Sequence, residues 1–180
     1  LLQELRSKFA YVDADPDLGE RLFFDNSGGS LRLKEAIDVR RKYDLIPDCT
    51  ERFHERAQMF HAVIKKGTED VLKIILGAKG GSLMTQLSAS QTIFQGVATI
   101  MESVEGTNAV TTNIEHPSSY DAVQFYCEKN SKEMRVVKAN TNTGFIDPED
   151  IAALVDEGTI LVNVIASSNI SGNIMDLERI

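Results

Sequence analysis

The chain has 180 residues, 42% of them hydrophobic and 26% charged, which fits a globular α/β domain and excludes collagen and intrinsic disorder. Its net charge of −8 argues against a nucleic-acid surface, and no apolar run approaches the roughly 20 residues of a membrane helix, so a soluble, cytoplasmic protein is expected. The two cysteines, Cys49 and Cys127, are too few and too far apart for a disulfide framework or a CxxC metal site and read as free thiols.

The chain begins with Leu1 rather than Met and stops at Ile180 within MDLERI, a pattern that opens a helix, so a piece of something larger is expected. Helices are predicted over 30–43 and 50–64. The stretch 68–77 places Val71, Leu72, Ile75 and Leu76 on one helical side, with Thr68 as N-cap and Gly77 as stop. A short strand is expected at 82–87, a helix at 90–104 and a β-branched strand at 108–114. A helix at 118–129 and a strand at 134–138 follow. Asp147 is then the natural N-cap of a helix at 148–155, with Pro148 in its first turn. The nearly continuous apolar run 159–166 reads as a strand buried on both faces, and Asp176 as the N-cap of the next helix. From residue 68 helices and strands alternate, which predicts a three-layer α/β/α fold with a mainly parallel sheet.

In such folds ligands sit beyond the C-terminal ends of the strands. Ser88, Ala89, Ser90, Gln91 and Thr92 enter a helix there; they suit a phosphate, or else simple N-capping. No GxxxxGK[ST] or GxGxxG is present to indicate a nucleotide. His116, held by Pro117 at a strand end, suits stacking on a flat cofactor or moving a proton, or else helix capping. His54 and His61 lack a third ligand nearby, and HERAQ is not HExxH, so no metal site is expected. The loop 167–173 and the small-residue stretch FFDNSGGS at 23–30 complete the set, the latter open to close approach of a ligand.

Taken in order, these loops resemble pyridoxal-phosphate (PLP) enzymes of fold type I, in the class V aminotransferase and cysteine desulfurase group. FFDNSGGS is similar to that group's Y-L-D-N-A-A-T, and LGAKGGSLMTQLSASQTIFQGVAT to its LGA…(V/I)-x-F-T-x-G-T-T-E-A-I-N-L-V-A-T. NIEHPSSYDAVQFYCEK resembles its E-H-H-S-N…W, TNTGFIDPEDIAALVDEGTILVNV its G-x-I-D-L-E-x-L…T-x-L-V, and ASSNISGNIMDLERI its V-S-N-V-x-G-x-I.

The resemblance implies PLP as cofactor, an amino-acid substrate and a homodimeric parent. It implies that Ala89, Ser90 and Gln91 stand where the family's G-T-T holds the cofactor phosphate. His116 stands where a His stacks on the pyridine ring and assists proton transfer, and Asn169 where an Asn meets the phenolic oxygen. Asn26, Ser27 and Gly28 align with the loop near the substrate. G-T-T has become A-S-Q and the early A-A-T has become S-G-G, which puts the substrate in question. Residues 1–64 correspond to an N-terminal arm and helices shared with the family's small domain and linker, and 65–180 to the first half of its PLP-binding large domain.

The family's D-x-x-Q strand and Schiff-base Lys have no counterpart in the sequence. None of Lys65, Lys66, Lys79 or Lys138 lies at the matching position, so the 180-residue chain is expected to be inactive by itself. Cys49 and Cys127 are not expected to be nucleophiles. Two alternatives stay open: a stand-alone, non-catalytic interaction module with half of this fold, and an unrelated α/β phosphate binder that uses only the helix terminus at Ser90.

Overall fold

The computed structural model describes residues 1–26, 28–47 and 49–180, and its chain divides into two units, Leu1–Leu83 and Met84–Ile180. The first unit opens with α1 (Leu2–Lys8), acidic in its first turn and basic in its last, as the helix dipole favours. A hairpin follows, in which β1 (Ala14–Asp15) pairs antiparallel with β2 (Gly19–Glu20). Asp15 closes its turn by accepting from the N–H groups of Asp17 (2.9 Å) and Leu18 (3.1 Å). Helices α2 (Lys34–Asp44) and α3 (Glu55–Asp70) meet through an edge-on pair of Tyr43 and Phe60, whose ring centres lie 5.5 Å apart.

The two helices expected over 50–64 and 68–77 are one. α3 runs through Gly67 and Thr68 into a π-helical turn at Val71–Ile75, so Thr68 is an interior residue and not an N-cap. A single helical Gly costs only about 1 kcal/mol. The ion pairs Lys66–Asp70 and Lys73–Glu69, each one turn apart, help to offset it. Gly77 does end the helix: its φ is +61°, and the Ala78 N–H donates back to the Leu72 carbonyl at 2.8 Å.

The strand expected at 82–87 is absent. This stretch is irregular, Leu87 is exposed, and the two units divide within it. A strand needs a neighbour's peptide groups, and among the described residues none pairs with it.

In the second unit α4 (Ala89–Ser103), β3 (Asn108–Thr112), α5 (Pro117–Lys129), β4 (Glu133–Val137), α6 (Pro148–Ala152) and β5 (Thr159–Asn163) alternate. The sheet is parallel in the order β4-β3-β5, with Val110 opposite Arg135 on one side and Val162 on the other. Central β3 is buried throughout. Ala109 packs into one core with Val97 and Met101 of α4 and Ala122, Val123 and Cys127 of α5. Val110, one residue on, packs into the opposite core with Val137, Ile146, Ile151 and Met175. The period-two alternation of a strand therefore generates the three layers, and each fully buried aliphatic side chain contributes about 1.5–3 kcal/mol.

β5 is not buried on both faces as expected. It is an edge strand, half-buried, with Val162 exposed. Asp176 caps no helix: its carbonyl accepts from the Arg179 N–H in a single turn. At the other end of the sheet Gly106, with φ +155°, crosses so near the chain before β5 that an added Cβ would stand 2.6 Å from the Gly158 carbonyl and collide with Ile160.

Candidate functional site

The chain passes from α4 into β3 at the N-terminal edge of a parallel sheet, so the start of α4 lies at the opposite, C-terminal edge. α5 also starts at that edge, directly after β3, and α4 and α5 pack side by side. The loop after β5 leaves from the same edge. Ala89, Ser90, Gln91, His116 and Asn169 thus share one edge of one unit, as the alternating order predicts.

Ser88, in extended conformation, caps α4, and its Oγ accepts from the Gln91 N–H at 3.3 Å. The cap is Ser88, so Ser90 is left in the first turn. An α-helix leaves its first N–H groups without carbonyl partners. Those of Ala89 and Ser90 open the helix here, all three of Ala89, Ser90 and Gln91 are exposed, and no acid stands in this first turn. The Gln86 side chain donates to the Gln95 side chain, bracing the segment that enters the helix.

His116 is the N-cap of α5, so the capping reading holds. Its Nδ1 accepts from the Ser118 N–H (3.2 Å) and lies 2.7 Å from Ser118 Oγ. Its own carbonyl accepts from Ser119 (2.8 Å) and Tyr120 (3.0 Å). With Nδ1 accepting, the neutral ring carries its proton on Nε2. The ring is exposed on a rigid mount: Pro117 restricts the chain after it, and the buried end of β3 precedes it.

Polar side chains tie this edge together beneath the surface. Asn163 of β5 donates to Thr111 Oγ1 of β3 (3.1 Å) and to Ser119 Oγ of α5 (2.8 Å). Glu115 is buried and accepts from Thr112 Oγ1 (2.6 Å) and from the Ile165 N–H (2.8 Å). Burial raises the Glu115 carboxyl above the ordinary glutamate range, and the hydrogen bonds from Thr112, Ile165 and Ser119 oppose that rise. In the sequence Glu115 stands between a predicted strand and the helix predicted at 118–129, and nothing local signals that its carboxyl is buried.

The loop after β5 folds back through an antiparallel bridge between Ser167 and Ile174. Buried Ser168 organises it: its Oγ accepts from the N–H groups of Ile170 and Ser171, both at 3.2 Å. Asn169 is exposed at the tip. Asn26 and Gly28 belong to the first unit, on an exposed turn where Asp25 Oδ1 accepts from the Gly28 N–H at 3.2 Å. A Cβ on Gly28 would meet the Asp25 carboxylate at 2.7 Å. Ser27 lies outside the described residues. Cys127 is buried, and burial raises its thiol above the ordinary range, which leaves it protonated and unreactive. Among the described residues no group of three or more His, Cys, Asp or Glu side chains is arranged to hold a metal, and no helix is long and apolar enough to cross a membrane.

Comparison with known proteins finds relatives that match nearly the whole chain. An aminotransferase-like protein, FGM3, of Gibberella zeae is 26% identical over 188 aligned positions, which cover 99% of this chain and 44% of that protein. The apo structure of a cysteine desulfurase from Thermococcus onnurineus NA1 superposes with a TM-score of 0.80 at 19% identity, over 98% of this chain and 43% of that one. A C-DES variant with glycine covalently linked to its PLP cofactor superposes with a TM-score of 0.66 at 16% identity, over 97% of this chain and 44% of that one. The chain therefore spans less than half the length of these proteins. The family model for aminotransferase class-V matches residues 22–180. The chain belongs to the aminotransferase class-V family.

Proposed function

We propose that this chain is the N-terminal part of a PLP-dependent enzyme that acts on an amino acid, of the aminotransferase or cysteine desulfurase type. The observation that carries the reading is the exposed, acid-free start of α4 at the same sheet edge as His116, in a chain matched by the family from residue 22 onward. The residues fit the cofactor: a phosphate needs several donors and no competing carboxylate, and the first turn of α4 offers backbone N–H groups, the Ser90 hydroxyl and the Gln91 amide. Bound PLP would supply an electron sink for charge developing at the amino acid's Cα.

Ala89, Ser90 and Gln91 bind the phosphate in this proposal. His116 lies against the ring and holds a movable proton at Nε2, since Nδ1 is occupied by Ser118. Asn169 donates to the phenolic oxygen, and Asn26, Ser27 and Gly28 bind the amino acid. Residues 1–64 form the arm shared with a small domain and linker, and 65–180 the first half of the cofactor domain, in a cytoplasmic homodimeric parent. The 180-residue chain itself turns over no amino acid, because none of its lysines stands at the family's Schiff-base position.

Calorimetric titration of the 180-residue chain with PLP, and separately with inorganic phosphate, tests the site. Ser90→Ala and Gln91→Ala are expected to weaken both ligands about three- to tenfold each. His116→Ala is expected to weaken PLP alone. Unchanged affinities in Ser90→Ala and Gln91→Ala would refute the phosphate assignment, and equal losses of both ligands in His116→Ala would refute ring stacking.

A further inference from the structure

Glu115 is the residue on this edge to which the E-H-H-S-N resemblance assigns no role. It is 7% exposed and stands one position before His116. Two of its donors come from different parts of the fold. Thr112 is the last residue of β3, whereas Ile165 lies on the chain that leaves β5 toward Ser168 and Asn169. Asn163, two residues earlier, already links β5 to β3 and α5. Beyond Asn163 the strand has ended, and the Glu115 carboxylate accepts from the Ile165 N–H, which has no strand partner among the described residues. A buried acid is a costly acceptor for one amide, and that cost is understandable where the position of the amide matters.

We propose that Glu115 is a positioning residue: by accepting from the Ile165 N–H it holds the segment that leads to Asn169 against the turn that carries His116. The inference rests on the roles given above to His116 and Asn169. Removing the acceptor leaves the Ile165 N–H unsatisfied, which shifts a local opening equilibrium about tenfold. Glutamine keeps an oxygen at the same place and is therefore the rescuing substitution.

The 180-residue chain is compared as wild type, Glu115→Gln, Glu115→Ala, Asn169→Ala and the Glu115→Ala/Asn169→Ala double variant, by amide hydrogen exchange and by PLP titration. Glu115→Ala is expected to speed exchange at Ile165 about tenfold relative to Val110 in β3, and Glu115→Gln to change it less than about threefold. PLP affinity in the double variant is expected to match that of Asn169→Ala alone, because both changes remove the same contact. Unchanged Ile165 exchange in Glu115→Ala, equal acceleration in Glu115→Gln, or additive losses of PLP affinity would each overturn the proposal. Should Glu115→Ala fail to fold, Glu115→Leu fills the volume without an acceptor and carries the same expectation. If wild type binds no PLP, the cofactor site fails while unaltered folding and the Ile165 exchange still decide whether Glu115 holds this segment.

Discussion

Glu115 and His116 are sequence neighbours with opposite surroundings, and each can be examined by titration or substitution. Burial raises the Glu115 carboxyl above its ordinary value of 4.5, so the folded chain binds this proton more tightly than the unfolded chain. The stabilisation is complete below that ordinary value and is lost as pH rises through the raised one. Urea unfolding of wild type and Glu115→Gln between pH 4 and 8 checks the sign. Relative to the glutamine variant, wild type is expected to lose stability as pH rises, and parallel curves would contradict it. The two cysteines separate in the same way: exposed Cys49 is expected to react with a maleimide in the native chain, and buried Cys127 only after unfolding. His116 was legible from the sequence because a His before Pro at a strand end is locally visible. Glu115 was not, because its burial depends on Thr112 and Ile165, and the second of these stands fifty positions away.

Among the elements, the helices and the central strand were legible because their signals are local. Gly77 stops α3, Asp147 accepts from the Glu149 N–H to cap α6, and Val110 to Thr112 form a β-branched run. Neighbours decided the rest. Nothing near 68 shows that α3 continues through Gly67, and nothing near 82 shows that no strand pairs there. Substitution separates the glycines. Gly67 is helical with open space around it, so Gly67→Ala is expected to stabilise the chain by about 0.5–1 kcal/mol. At Gly77, where φ is +61°, alanine is expected to cost about 1 kcal/mol. Gly106→Ala is expected to cost about 1–3 kcal/mol or more, because its Cβ would collide with Ile160 and with the Gly158 carbonyl. Thermal unfolding of the three variants reads these signs, and a stabilising Gly106→Ala would contradict the close crossing.

At the scale of the whole second unit, the two ends of the sheet do different work. At the N-terminal edge Asp156 accepts from Arg135 (2.7 Å), Asn108 (2.8 Å) and the Gly158 N–H (2.9 Å), tying β4 and β3 to the turn before β5. Arg135 first, and then Asn108, lower the Asp156 carboxyl to about 2. Its contribution is therefore present above the ordinary carboxylate range and is lost as pH falls toward 2; the half-exposed setting keeps it small. Arg135→Ala is expected to lower the unfolding midpoint at pH 7, with less effect near pH 2, and to leave PLP affinity unchanged. The C-terminal edge carries the exposed turn of α4, His116 and the Asn169 loop. The layered fold was legible because helices and strands alternate in the sequence. The half-burial of β5 was not, because an apolar run carries no mark of what covers its two faces. PLP is proposed to bind at this C-terminal edge through the start of α4. Mapping amide chemical shifts of the 180-residue chain during PLP titration tests it most directly. Shifts are expected to concentrate at Ala89, Ser90, Gln91 and His116 with little change at Asn108 and Asp156; saturation with shifts elsewhere, or none at the start of α4, would rule this site out.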